Sequence, residues 1–169
     1  VLRVHDIDYV SAVEEALPRE GYRALDAGDT ILSPGSWQAV MRCVGAACAA
    51  VDAVVAGQAR NAFCATRPCG HHAEAGQAMG FCIFNQAAVA ALHARAVHGL
   101  QRIAVIDFDV HHGNGTQNSF WDDPLLFYGS SHQSPFSPPA GPEKLTSILR
   151  TRTLRPAMEW RWPTERERG

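Results

Sequence analysis

The stretch that decides the fold is Ile103-Ala-Val-Ile-Asp-Phe-Asp-Val-His-His-Gly-Asn-Gly115. Its β-branched, apolar beginning predicts a buried strand over residues 102–108. Asp107, Asp109 and His111 share one parity, so on an extended segment their side chains point the same way. A carboxylate oxygen and an imidazole nitrogen two residues apart are suitable ligands for a divalent metal such as Zn²⁺. The segment therefore predicts a metal site at the end of a strand.

A simpler interpretation also fits these residues. Asp107 and Asp109 would then only cap the following turn, and His111 and His112 would be ordinary surface residues. However, two acids directly after an apolar strand are costly to bury unless they are paired or bound to a cation. That cost favours the metal site.

The chain on both sides of this stretch reads as alternating helices and strands. Asn85 is a good N-cap for a helix that ends at Gly99. Strand, helix, strand, short helix and strand in this order predict a parallel sheet covered by helices, whose ligands collect beyond the carboxyl ends of its strands. One predicted helix runs from Asp6 or Asp8 towards Leu17. A long second helix has start signals at Ser33, Pro34 and Ser36 and continues through Val55; it is apolar on most sides and so expected to be well buried. Two further helices are predicted over 85–98 and 116–121, and strands over 61–66, 102–108 and 125–130.

Composition limits the class of protein. The 169 residues amount to one ordinary domain, and 46% are hydrophobic, enough for a packed core. The formal net charge of −2 does not favour nucleic acid or an anionic membrane as partner. The five cysteines form no CxxC pair, and the chain starts at Val1 without a signal-peptide pattern, so we expect a cytoplasmic, reducing location.

A second group of histidines lies in Arg67-Pro-Cys-Gly-His-His-Ala73. His71 and His72, on a Pro/Gly loop, could supply a general base and an electrostatic partner near neutral pH. A structural or surface role is the alternative, because an HH pair alone is weakly specific. His5, His93 and His98 are expected to be ordinary surface residues.

Four motifs together resemble the zinc-dependent histone deacetylase family, which includes acetylpolyamine amidohydrolases, and most closely its class II-like bacterial branch. They are RPxGHHA over 67–73, GFCxFN over 80–85, DxDxHHGNGTQ over 107–117 and SxHQ over 130–133. The resemblance covers roughly residues 3–136 and implies an α/β, three-layer arginase/deacetylase-like fold with a parallel sheet, here incomplete.

The resemblance also implies roles for particular residues. Asp109 and His111 become zinc ligands, His72 the general base and His71 its electrostatic partner. Asp107 would accept a hydrogen bond from His71, Asn114 would orient His72, and Gly80 and Phe81 would line the substrate channel. A structural potassium ion would lie at Asp107, Asp109, His111, Ser130 and Ser131. The implied reaction is metal-assisted hydrolysis of an acetyl-amide, in a small molecule or a protein, to acetate and an amine.

The resemblance ends near residue 142. Residues 1–142 carry a charge of −5 and residues 143–169 carry +3. We expect 1–142 to be a partial catalytic domain, and 143–169 to be an atypical Arg-rich tail without a sheet-like run. A frameshift or premature end would produce that tail, and a lineage-specific tail is the rival. The family's third zinc ligand, an Asp, and its oxyanion-stabilising Tyr have no matching motif, so the chain alone is expected to be weakly active or inactive.

Two other functions compete with the deacetylase. One is a two-manganese, arginase-like hydrolase, which needs a carboxylate two residues after His111, where this chain has Gly113. The other is a catalytically inactive deacetylase-like module or binding fragment. Oligomeric state is left open.

Overall fold

The computed structural model describes residues 1–132 with their side chains, and the backbone of residues 133–134, 144–150 and 158–161. The chain divides into two compact units. The first unit contains residues 1–101 and 114–119, and the second contains residues 102–113 and 120–169. Each is described by itself.

The first unit is mainly helical. Its elements are α1 (Ile7–Glu15), the short antiparallel pair β1 (Arg23–Ala24) and β2 (Ile31–Leu32), α2 (Ser36–Val55), α3 (Gln86–His98) and nearly all of α4 (Asn114–Phe120). Asn85 caps α3 by accepting a hydrogen bond from the N–H of Ala88, and Gly99 ends it in a left-handed conformation. Both ends of α3 thus follow the predicted capping chemistry.

The core of the first unit joins α1, β2, α2, the segment before α3 and α3 itself. Its buried apolar side chains are Val13, Ala16, Leu32, Val40, Val44, Ile83, Phe84 and Val89. The expectation that α2 is well buried is wrong, because Val40, Cys43 and Val44 are its only fully buried residues. Among the described residues, α2 is also the one helix long and apolar enough to cross a membrane by length and composition, a test that core helices of other proteins also pass.

The predicted strand over 61–66 is wrong. These residues adopt no regular structure, and Phe63 is 92% exposed. A strand needs a neighbour for its backbone N–H and C=O groups. Within the described part of the first unit, the named strands are only β1 and β2, which pair with each other.

The second unit is a four-stranded sheet in the order β3-β4-β5-β6, formed by Ile103–Asp107, Leu126–Ser134, Lys144–Arg150 and Met158–Arg161. β3 and β4 are parallel, as predicted, with Asp107 opposite Ser130. β5 and β6 then add in antiparallel fashion, so the sheet is mixed. The expectation that residues 143–169 lack a sheet-like run is wrong, because the free edge of β4 offers backbone groups to any extended segment.

Three histidines expected at the surface are at least partly buried. His5 is 3% exposed; its Nδ1–H donates to the carbonyl of Glu74, and its Nε2 accepts from the N–H of Asn85, both at 2.9 Å. His93 and His98 both contact Asp52 of α2. Sequence spacing alone did not reveal these partners, because they are 41 to 80 residues away along the chain.

Candidate active site

His71 and His72 lie on the loop before α3 and belong to the first unit. Their ring centroids are 4.1 Å apart. The backbone around them is fixed by two hydrogen bonds: Ala73 N–H donates to the carbonyl of Gly70 within the loop, and Thr116 N–H of α4 donates to the carbonyl of His71. The pair is therefore held by the start of α4 as well as by its own loop.

The side chain of His72 is oriented by Asn114, the first residue of α4. The distance from His72 Nδ1 to Asn114 Oδ1 is 2.8 Å. Asn114 Nδ2 donates to Glu74 Oε1, also at 2.8 Å. An ionised carboxylate only accepts hydrogen bonds, so the amide nitrogen must face Glu74 and the amide oxygen must face His72.

That orientation determines the tautomer of His72. An amide oxygen only accepts, so His72 Nδ1 must carry a proton and donate it to Asn114. In the neutral ring, Nε2 then holds a lone pair and can accept a proton. Glu74, which the sequence analysis did not single out, thus acts on His72 through Asn114. Glu74 directly follows His71-His72-Ala73 in the sequence, but its position there does not indicate that its carboxylate contacts Asn114.

Gly80 packs against the ring of His72. A Cβ at this position would lie 2.4 Å from His72 Cδ2, and the backbone has a φ of +56°. Both facts require glycine. Next to it, Phe81 is a non-glycine residue with a φ of +65° whose side chain is mostly exposed. Strained backbone of this kind often occurs where a ligand is bound.

Asp109 and His111 belong to the second unit, in the loop after β3. Asp109 Oδ1 lies 2.9 Å from His111 Nδ1 and accepts from the backbone N–H of His111 at 2.8 Å. Both side chains are about half exposed. Two ligands of a tetrahedral zinc ion lie about 3.3 Å apart for bonds near 2.0–2.1 Å, so this donor pair fits two of the ligand positions after a small adjustment.

Among the described residues, no third carboxylate, histidine or cysteine completes a group of three with Asp109 and His111. Asp122 is exposed, and Asp123 accepts the backbone N–H of Leu125 at 3.0 Å. His132 is buried and contacts Ser130 through its Nδ1, at 2.8 Å. A third ligand from one of these positions is therefore unsupported.

Asp107 is connected to the sheet of the second unit. Its Oδ2 accepts a hydrogen bond from the hydroxyl of Tyr128 at 3.0 Å, and its Oδ1 accepts from the N–H of Asp109 at 3.1 Å. The Tyr128 hydroxyl accepts in turn from the N–H of Gly113. Burial raises the pKa of Tyr128, so the phenol stays protonated and keeps donating. Tyr128 was not among the site residues predicted from the sequence, although the alternation of side chains along β4 could have predicted that it is buried.

Of the residues expected to bind potassium, the two serines lie on β4. Ser130 lies opposite Asp107 in the register of β3 and β4. Its hydroxyl contacts His132, and the neighbouring Ser131 is half-buried. The potassium site stays a prediction, as does the hydrogen bond between Asp107 and His71.

Comparison with known proteins identifies the class. A family model described as the histone deacetylase domain matches residues 1–163. The histone deacetylase-like amidohydrolase of Pseudomonas aeruginosa is 46% identical over 141 residues, covering 82% of this chain and 36% of that protein. Human polyamine deacetylase HDAC10 is 44% identical over 134 residues, covering 77% and 20%.

A solved structure supports the same assignment. The crystal structure of the HDA15 HD domain matches with a TM-score of 0.72 and 38% identity, covering 76% of this chain and 35% of that one. The chain belongs to the histone deacetylase family. The predicted arginase/deacetylase-like α/β fold is thereby confirmed. The chain spans only about a third of the length of the Pseudomonas relative and a fifth of the human one.

Proposed function

We propose that this chain carries part of a zinc-dependent hydrolase that removes acetyl groups from amines. Asp109 and His111 would hold the zinc ion, and His72 would act as general base. The observation that supports the proposal best is the hydrogen-bonded series Glu74–Asn114–His72, which leaves Nε2 of a neutral His72 able to accept a proton. Family membership supports the same chemistry.

The residues of the chain have separate tasks in this reaction. His72 Nε2 takes a proton from water while the water oxygen bonds to the acetyl carbon. The C–N bond then breaks, the proton passes to the leaving nitrogen, and acetate and a free amine result. Zinc, when bound, polarises the acetyl carbonyl and lowers the pKa of water. Asn114 holds the His72 ring without adding a charge, and Gly80 leaves room beside that ring.

Substrate, compartment and extra ions belong to the proposal. An acetylated small molecule, such as a polyamine, and an acetylated lysine in a protein are both compatible with the mechanism. The five cysteines are free thiols, which supports a reducing compartment such as the cytoplasm. A potassium ion at Asp107, Asp109, His111, Ser130 and Ser131 is proposed from the family resemblance alone.

Zinc binding and acetate release test the proposal directly. The purified chain is titrated with Zn²⁺ in an Asp52→Asn background, which removes the carboxylate that His93 and His98 both contact. Asp109→Ala and His111→Ala should each weaken the remaining zinc binding. Unchanged affinity in both variants would refute the ligand assignment.

The same preparation is assayed with an acetyl-lysine peptide and an acetylpolyamine. Only two zinc ligands are credible, so we expect slow turnover. His72→Ala should lower it further, by ~10²–10⁴-fold, with zinc still bound. Equal turnover in wild type and His72→Ala would refute the base assignment, and no turnover with zinc bound would favour an inactive module.

A further inference from the structure

Asp52, His93 and His98 form a compact group on one side of the first unit. His93 Nε2 and His98 Nε2 each lie 2.7 Å from the same atom, Asp52 Oδ1. The three potential ligand atoms lie within 4.8 Å of one another. The two imidazoles are 15% and 21% exposed, and the carboxylate is 49% exposed, so an ion could enter from solvent.

The convergence of the two histidines is produced by helix packing. Five positions along a helix correspond to about 140° around its axis, so His93 and His98 do not lie one above the other on α3. Their rings are nevertheless only 5.9 Å apart, because both turn towards Asp52 on α2. Two helices therefore supply one donor set.

The position of the group on its helices favours a cation. Asp52 lies in the last turn of α2, which ends at Val55, and His98 is the last residue of α3. The carbonyl end of a helix carries partial negative charge.

The chemical type of the ligand atoms determines which metal ions the group would bind. Two imidazoles and one carboxylate suit zinc and its neighbours, whereas calcium and magnesium prefer sites made only of oxygen atoms. Without an ion, each Nε2 carries a proton that it donates to Asp52. On ligation that proton would move to Nδ1, so that the Nε2 lone pair faces the metal.

We propose that Asp52, His93 and His98 bind a zinc-class divalent cation that links the ends of α2 and α3. Three protein ligands leave a fourth tetrahedral position for water. The group shares no residue with the Asp109–His111 pair, and its function is to join the two longest helices of the first unit. The rival is a purely hydrogen-bonded contact between the helices that binds no ion.

Titration with Co²⁺ and Zn²⁺ separates these possibilities. The complete chain and the variants Asp52→Asn, His93→Gln and His98→Gln are titrated with Co²⁺, followed by its visible absorption, and then with Zn²⁺ in competition. Each variant should lose affinity by ~100-fold or more at this site, since changes outside the ligand shell alone cost 10–100-fold. Asp109→Ala is the matched control and should retain the Co²⁺ spectrum of this site.

The zinc-induced shift in Tm provides a second readout, measured only on variants that fold. Zn²⁺ at a hundredfold excess over Kd should raise the Tm of the wild type and of Asp109→Ala by roughly 5–10 °C. It should leave the Tm of the double variant Asp109→Ala/His98→Gln unchanged, while circular dichroism confirms that this variant is folded. Equal zinc-induced shifts in Asp109→Ala and in Asp109→Ala/His98→Gln, or no metal bound by the wild type at this group, would overturn the proposal.

Discussion

Asn114 Oδ1 lies 2.8 Å from His72 Nδ1, and the other side of the same amide is held by Glu74. The two residues are 42 positions apart in the sequence. Through Asn114, the carboxylate of Glu74 determines which nitrogen of His72 carries the proton.

Replacing Glu74 should disturb the tautomer of His72. In the wild type at pH 8 we expect a proton on Nδ1 and none on Nε2. Glu74→Ala frees the Asn114 amide to rotate, so both tautomers should be populated, whereas Glu74→Gln should restore the wild-type state in part. Imidazole ¹⁵N chemical shifts measure this. Asn118 donates to the same Glu74 oxygen, so Asn118→Ala is the control and should leave the shifts of His72 unchanged.

The buried His5 should make the chain less stable in acid. Burial lowers the pKa of His5, opposed by its backbone hydrogen bond to Glu74. Below a pH of about 6.5 the unfolded chain therefore binds more protons than the folded chain, and stability falls as the pH falls. Protonation at Nε2 would also place a proton against the N–H of Asn85.

Thermal unfolding at pH 7.5 and 5.5 measures this effect. His5→Gln keeps an acceptor for Asn85 but cannot be protonated, so its Tm should drop less than that of the wild type over this range. Burial lowers the pKa of His132 in the same direction, so some pH dependence should persist in the variant. An identical pH dependence in both proteins would contradict the role given to His5.

Gly115 should not tolerate a side chain. A Cβ there would lie 2.2 Å from the carbonyl oxygen of Ala73, a backbone atom that cannot move without shifting the histidine loop. We expect Gly115→Ala to lower the free energy of unfolding by about 1–3 kcal/mol. Gly45→Ala is the control, because Gly45 lies inside α2 with nothing within 4 Å of its added Cβ. It should be neutral or stabilising by up to ~1 kcal/mol in urea unfolding.

The hydroxyl of Tyr128 should matter for stability. It accepts from the N–H of Gly113 and donates to Asp107, and the residue is 1% exposed. Tyr128→Phe would leave a buried N–H without its acceptor, which costs about 1–3 kcal/mol. Tyr22→Phe, at a residue 82% exposed, should change the free energy of unfolding by less than about 0.5 kcal/mol. Comparable losses in the two variants would show that the hydroxyl contacts of Tyr128 contribute little.

The sequence by itself determined the features that depend on neighbouring residues. The Asn85 cap, the Gly99 end of α3, the end of α2 at Val55 and the parallel pair β3–β4 all follow from patterns of apolar, capping and turn residues. The order of the four motifs likewise indicated the family. Such features are local because a helix or strand is shaped largely by residues a few positions away.

Only the tertiary structure decided which distant side chains meet. It brought Glu74 to Asn114, His5 to Asn85, and Asp52 to His93 and His98, and it left residues 61–66 without regular structure. A periodic pattern predicts that a residue faces inwards, but it does not predict which side chain of another segment it contacts. A polar side chain in a partly buried place takes whichever donor or acceptor the packing of other segments presents, and that choice is made across tens of residues of intervening chain.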